Sequence, residues 1–85
     1  MEEIAVGKVE KFFSKIGVAA IRIVEGELKI GDTIRIKGHT TDFEQKIESM
    51  QIEHTPVDKA VKGENVGIKV KEKVREGDTV YLLKE

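Results

Sequence analysis

Apolar and polar residues alternate with a period of two along most of the chain, the pattern of strands that bury one face. The clearest stretch is 66–71, where Val66, Ile68 and Val70 alternate with Gly67, Lys69 and Lys71. Five more stretches obey the same rule with lapses: 3–13, 18–25, 33–37, 43–53 and 79–83. Ala19, Ile21 and Ile23 share a face in the second, and Ile34 and Ile36 point inward in the third, with Arg35 and Lys37 outward. The phase slips at Gly7 and again between Ile47 and the pair Met50 and Ile52, so the pattern predicts bulges in the first and fourth strands.

The connections read as turns. Residues 26–32 hold two glycines that accept positive φ and an Asp that can bond its own backbone, and 74–78 ends in a similar Gly77-Asp78 step. Gly31-Asp32-Thr33-Ile34 and Gly77-Asp78-Thr79-Val80 echo each other, as two turns built from the same residues rather than a sequence repeat. Residues 55–62 carry the one proline, Pro56, and have room for a helical turn. Short, bent strands favour closure, which removes exposed edges. The expected fold is therefore all-β, a closed six-stranded barrel formed as one domain over residues 1–85.

Composition sharpens this picture. Ten Val and ten Ile stand against three Leu and four Ala. Branching at Cβ suits a pleated, half-buried surface and disfavours a helical bundle. The net charge of −1 supplies no overall field to attract nucleic acid, so any RNA contact needs a local patch. Cysteine is absent, and the first seven residues lack the basic and apolar regions of a signal peptide. No apolar run approaches a bilayer span. These features predict a cytoplasmic protein without membrane contact. Many Lys and Glu beside one Asn and two Gln resemble a thermophile profile.

The usual catalytic constellations are missing. No glycine loop is followed by the Lys-Ser/Thr step of a nucleotide-binding site, so the chain alone is expected to bind no nucleotide. Ser14 and Ser49 have no identifiable base. His39, Asp42, His54 and Asp58 lack metal-ligand spacing, and neither a metal nor a cofactor is expected. The chain reads as a binding module rather than an enzyme. The chemical feature that remains is a basic row, Lys69, Lys71 and Lys73, followed by Arg75. On one strand face such alternate residues lie about 6.6 Å apart, a spacing that a nucleic-acid backbone could track. The same row also serves as a solvated outer face that discourages edge pairing.

The stretch Lys62-Gly63-Glu64-Asn65-Val66-Gly67 resembles the Gly-Asp/Glu-Asn-Val-Gly signature in the second domain of translational GTPases, the barrel of elongation factor Tu and initiation factor 2. Gly17-Val18-Ala19-Ala20, Gly26-Glu27-Leu28-Lys29-Ile30-Gly31-Asp32 and the segment 47–54, with Ser49 and His54, are similar to other parts of that domain in the same order. The resemblance runs from Ile4 to Leu83. It departs at Ile21-Arg22-Ile23, where the family has a glycine. It implies a closed Greek-key barrel that binds the aminoacyl end of tRNA and contacts the ribosome, with Asn65 and His54, or Glu53, near the aminoacyl pocket. Asn65 also reads simply as a turn residue. Similar barrels resemble the terminal domain of some collagenase-like peptidases, several of whose relatives act in tRNA modification.

Two functions follow. One is binding of RNA, either tRNA or the ribosome, by Lys69, Lys71, Lys73, Arg75, Asn65 and His54. The other is docking onto a protein partner, a separate GTPase or a peptidase or tRNA-modification protein. Mild acidity and few aromatics for base stacking favour docking.

Overall fold

The computed structural model of the chain describes residues 2–84. Among the described residues there are ten strands and no helix: β1 (Glu2–Phe13), β2 (Val18–Ile23), β3 (Glu27–Lys29), β4 (Thr33–Lys37), β5 (Asp42–Lys46), β6 (Met50–Ile52), β7 (Thr55–Pro56), β8 (Lys59–Val61), β9 (Asn65–Lys69) and β10 (Thr79–Lys84). Eight of them form one antiparallel sheet in the order β5-β4-β10-β1-β2-β9-β6-β7, and β3 pairs with β8.

The alternation seen in the sequence sets the buried face. Ala19, Ile21 and Ile23 of β2, Ile34 and Ile36 of β4, and Val66 and Ile68 of β9 are all buried, as is Val70 just beyond β9. With Val6, Val9, Leu28, Ile47, Ala60 and Val80 they form one cluster. The slip at Gly7 is a bulge, since the β1–β10 register shifts between Ala5 and Gly7. A side chain at Gly7 would put Cβ 2.6 Å from the Arg22 carbonyl oxygen, which explains the glycine. A second irregularity, between Val9 and Lys11, bends the same strand again.

The slip at Ile47 has a different origin from the bulge expected there. Residues 43–53 are not one strand but two, β5 and β6, which lie near opposite ends of the large sheet. The chain crosses between them at 47–49. Buried Ile47 anchors that crossing, donating to the Asp32 carbonyl at 2.8 Å and accepting from Gly31 N at 2.9 Å. No ladder among the described residues joins the two ends of the sheet, so the closed six-stranded ladder expected from the pattern is not what pairs here. A side chain spans part of the gap instead: Gln45 of β5 donates from Nε2 to the Lys69 carbonyl, and its Oε1 accepts from Lys71 N, each at 2.8 Å.

Residues 55–62 form β7 and β8 rather than a helical turn, and 26–32 contain β3. Strands of two or three residues have no period to detect, and the partner of β3 lies more than thirty residues on. The turn echo, by contrast, is real and occurs three times. At 29–32, 61–64 and 75–78 the fourth residue donates its N–H to the first carbonyl, and its carboxylate accepts from the first N–H. The third residue is Gly31, Gly63 or Gly77, each with φ near +90°, the geometry of a type II turn.

On the outside, Arg35 of β4 is bidentate to Asp42 of β5 at 2.8 and 3.0 Å and reaches Glu3 of β1 at 2.6 Å. It therefore passes over β10, which separates β4 from β1. Its hydrogen bond holds the Asp42 carboxyl below its ordinary range. No helix among the described residues is long and apolar enough to cross a membrane.

Two outcomes are expected. Gln45→Ala should lower unfolding stability by about 1–2 kcal/mol, for two lost bonds to backbone groups, and deprotect the Lys71 amide to hydrogen exchange. An unchanged urea midpoint would count against the clasp. The depressed Asp42 carboxyl contributes stability above its unfolded value, and that contribution disappears as pH falls through the lower folded value. Asp42→Asn should therefore flatten the loss of stability as pH falls below the ordinary carboxylate value of about 4, read from urea midpoints on either side of it.

Candidate docking groove

The outward face of β1, β2, β9 and β6 is set by register. Three rows cross it: Lys8, Arg22 and Asn65; Lys11, Ala20, Gly67 and Gln51; and Phe13, Val18 and Lys69. The middle row carries the two smallest side chains at its centre. A Cβ on Gly67 would come within 3.3 Å of Val18 and 3.4 Å of Gln51, so the missing side chain leaves a trough between them. Phe13, Ile16, Val18 and Ala20 form its apolar side, while Gln51, Glu53, His54 and Asn65 form its polar side, around about 280 Å³.

Two of these apolar groups are exposed to water against expectation. Ile16, at the tip of the β1–β2 hairpin, is 60% exposed, and Phe13 is 42% exposed. The Lys11 ammonium lies 5.3 Å from the Phe13 ring centre, a cation–π distance. On the other side Glu53 and His54 form the two-residue loop joining β6 to β7, and both have positive φ, 50° and 64°. Such hairpin loops normally use Asn-Gly, because the left-handed region costs a side-chain-bearing residue about 1–2 kcal/mol.

The residues singled out in the sequence separate into three groups. Asn65 and His54 share this groove. Asn65 is not a turn residue: it opens β9 opposite Arg22, and the positive φ of that run belongs to Gly63. Lys69 and Lys71 line a neighbouring cleft with Gln45, Lys46, Glu48 and Ser49. Lys73 and Arg75 lie on the loop between β9 and β10 and line neither. The basic row on one strand face does not form, because β9 ends at Lys69 and the chain bends beyond it, with Val70 and Val74 taken into the core. Sequence reasoning passed over Phe13, Ile16, Gly67 and Gln51. The available signal was an apolar Ile in a polar hairpin tip, and the face of Phe13 became clear only from strand register. Among the described residues no three His, Asp or Glu side chains gather as metal ligands.

The fold is that of a small antiparallel all-β domain. The profile of the family described as Elongation factor Tu domain 2 matches residues 17–81, and the chain belongs to that family. It is 52% identical over 84 residues to an uncharacterized protease of Methanocaldococcus jannaschii, covering 98% of this chain and 20% of that protein. It is 49% identical over 81 residues to a collagenase of Porphyromonas gingivalis, covering 94% of this chain and again 20% of the relative. The chain thus spans about a fifth of the length of these relatives. In fold it is similar to the C-terminal domain of a Geobacillus thermoleovorans protein assigned to the U32 peptidases, with a TM-score of 0.86 at 24% identity, covering 96% of this chain and 93% of that one. A selenomethionine variant of the same domain gives 0.84 at 23%, covering 89% and 95%.

Relief of the loop strain gives a direct measurement. Replacing Glu53-His54 by Asn-Gly should raise stability by about 1 kcal/mol while shortening one side chain of the groove wall and removing the other. A thermal or urea midpoint that falls would show that these side chains stabilise the loop beyond the backbone cost.

Proposed function

We propose that this chain is a non-catalytic, cytoplasmic docking module that serves a larger catalytic unit of the U32 peptidase kind. The observation that carries this reading is the exposed apolar wall of Phe13 and Ile16 facing the polar wall of Gln51, His54 and Asn65. A concave, mixed surface with an aromatic anchor is what a protein partner needs for a desolvated centre and a hydrogen-bonding rim. The identities near one half to collagenase-like and protease relatives, with only a fifth of their length covered, supply the kind of partner.

The RNA reading keeps Lys69 and Lys71 in one cleft but loses Lys73 and Arg75 from it. Bases also need successive aromatic platforms, and this face offers Phe13 alone.

The test uses the Methanocaldococcus jannaschii relative, shortened by the stretch that matches this chain, mixed with the 85-residue chain after nuclease treatment. Binding that survives nuclease and weakens about 10-fold in Ile16→Asp is expected, as for loss of an interface anchor. Binding that vanishes with nuclease, or that ignores Ile16→Asp, would sink the proposal.

A further inference from the structure

The apolar groove does not end at Gly67. It adjoins a second hollow lined by Ile16, Val18, Gln51 and Gly67, which continues past Ser49 and Lys69, and those two residues also line the cleft of Lys46 and Lys71. The three hollows follow β9 from Asn65 to just beyond its end. From Asn65 to Lys69 β9 makes four residue steps before the chain bends, about 13 Å at about 3.3 Å each, the length of an extended peptide of four or five residues, and the cleft of Lys46 and Lys71 continues beyond it.

Its two ends differ in chemistry. Around Phe13, Ile16 and Val18 the lining is apolar, with Glu53 as the acid and His54, Asn65 and Gln51 as hydrogen-bonding groups. Around Lys46, Lys69 and Lys71 there are three ammonium groups against one carboxylate, Glu48, in a chain whose net charge is −1. Lys11 and Arg22 add positive charge along the outward rows of the same face. β9 is paired with β2 from Asn65 to Lys69 and with β6 at Gly67 and Ile68, while Gln45 takes the Lys69 carbonyl and the Lys71 N–H, so little of this backbone is free to take up an added strand. Side chains must recognise an occupant.

Resting on the docking reading above, we infer that the groove binds an extended segment of a protein partner with an apolar side chain at one end and two or three carboxylates at the other. The apolar group seats over Gly67 and Ala20 against Phe13 and Ile16, and the carboxylates meet Lys46, Lys69 and Lys71. Gly67 is required because any side chain there would fill the floor.

The probes are fluorescent seven-residue peptides, one with Leu followed by three Asp and one with the reverse order, titrated into the 85-residue chain by anisotropy. Controls carry Lys for Asp, or Gly for Leu, and a uridine heptanucleotide tests nucleic acid. One acidic peptide should bind, about 10-fold tighter than either control, and lose a similar factor in Ile16→Asp and in Lys69→Glu with Lys71→Glu. Its affinity should also fall several-fold between about 50 and about 500 mM salt. Both variants alter exposed side chains, and circular dichroism checks that they remain folded. Equal binding of the Lys control, or displacement of the acidic peptide by the oligonucleotide at lower concentration, would overturn the inference. So would capture of the shortened relative through Ile16 without competition by either acidic peptide, an outcome that leaves the docking module intact. Peptide binding without capture of that relative would remove the assigned catalytic partner and keep the groove chemistry.

Discussion

The roll of the sheet depends on the three residues that carry the chain from β5 at one end of the ladder order to β6 near the other. Ile47 enters the core there while its backbone bonds Asp32 and Gly31, so both the apolar group and its polar main chain are satisfied at one point. Burying an Ile side chain contributes about 2–3 kcal/mol, and it does so only if the sheet has curled far enough to cover it. The Gln45 amide then occupies the place where a ladder would otherwise run, tying β5 to the end of β9.

That curl makes the groove. Rolling the sheet turns one face of β2 and β9 to a core of β-branched residues and the other to solvent. At its centre Ala20 and Gly67 sit side by side, which lowers the floor, and the hairpin tip raises Ile16 beside it. The strained Glu53-His54 loop closes the far side. Left-handed backbone at two adjacent residues with side chains persists where the surroundings hold it, and such positions gather at binding sites.

The same economy appears in the turns. Three Gly-acid turns reverse the chain with one carboxylate each, satisfying a backbone N–H that would otherwise need water. They stand before β4, β9 and β10, the strands that supply much of the buried face. The ion pairs of Arg35 with Asp42 and Glu3 span the ladder from β5 to β1, and none of the three residues lines the groove.

The all-β class, the inward set on β2, β4 and β9, the bulge at Gly7 and the Gly-Asp turns were determined by the sequence itself, because each rests on a period of two or on the backbone preference of a few adjacent residues. Asn65 and His54 were legible as neighbours of a pocket only through family resemblance. Tertiary structure decided the rest. Whether residues 43–53 make one strand or two, whether Lys71 and Lys73 share a strand face with Lys69, and which outward residues meet Phe13 all depend on pairing partners distant in sequence. Local pattern carries no record of those partners, since one alternation fits either edge of a sheet, and only the packing of the chain around Ile47 selects among them.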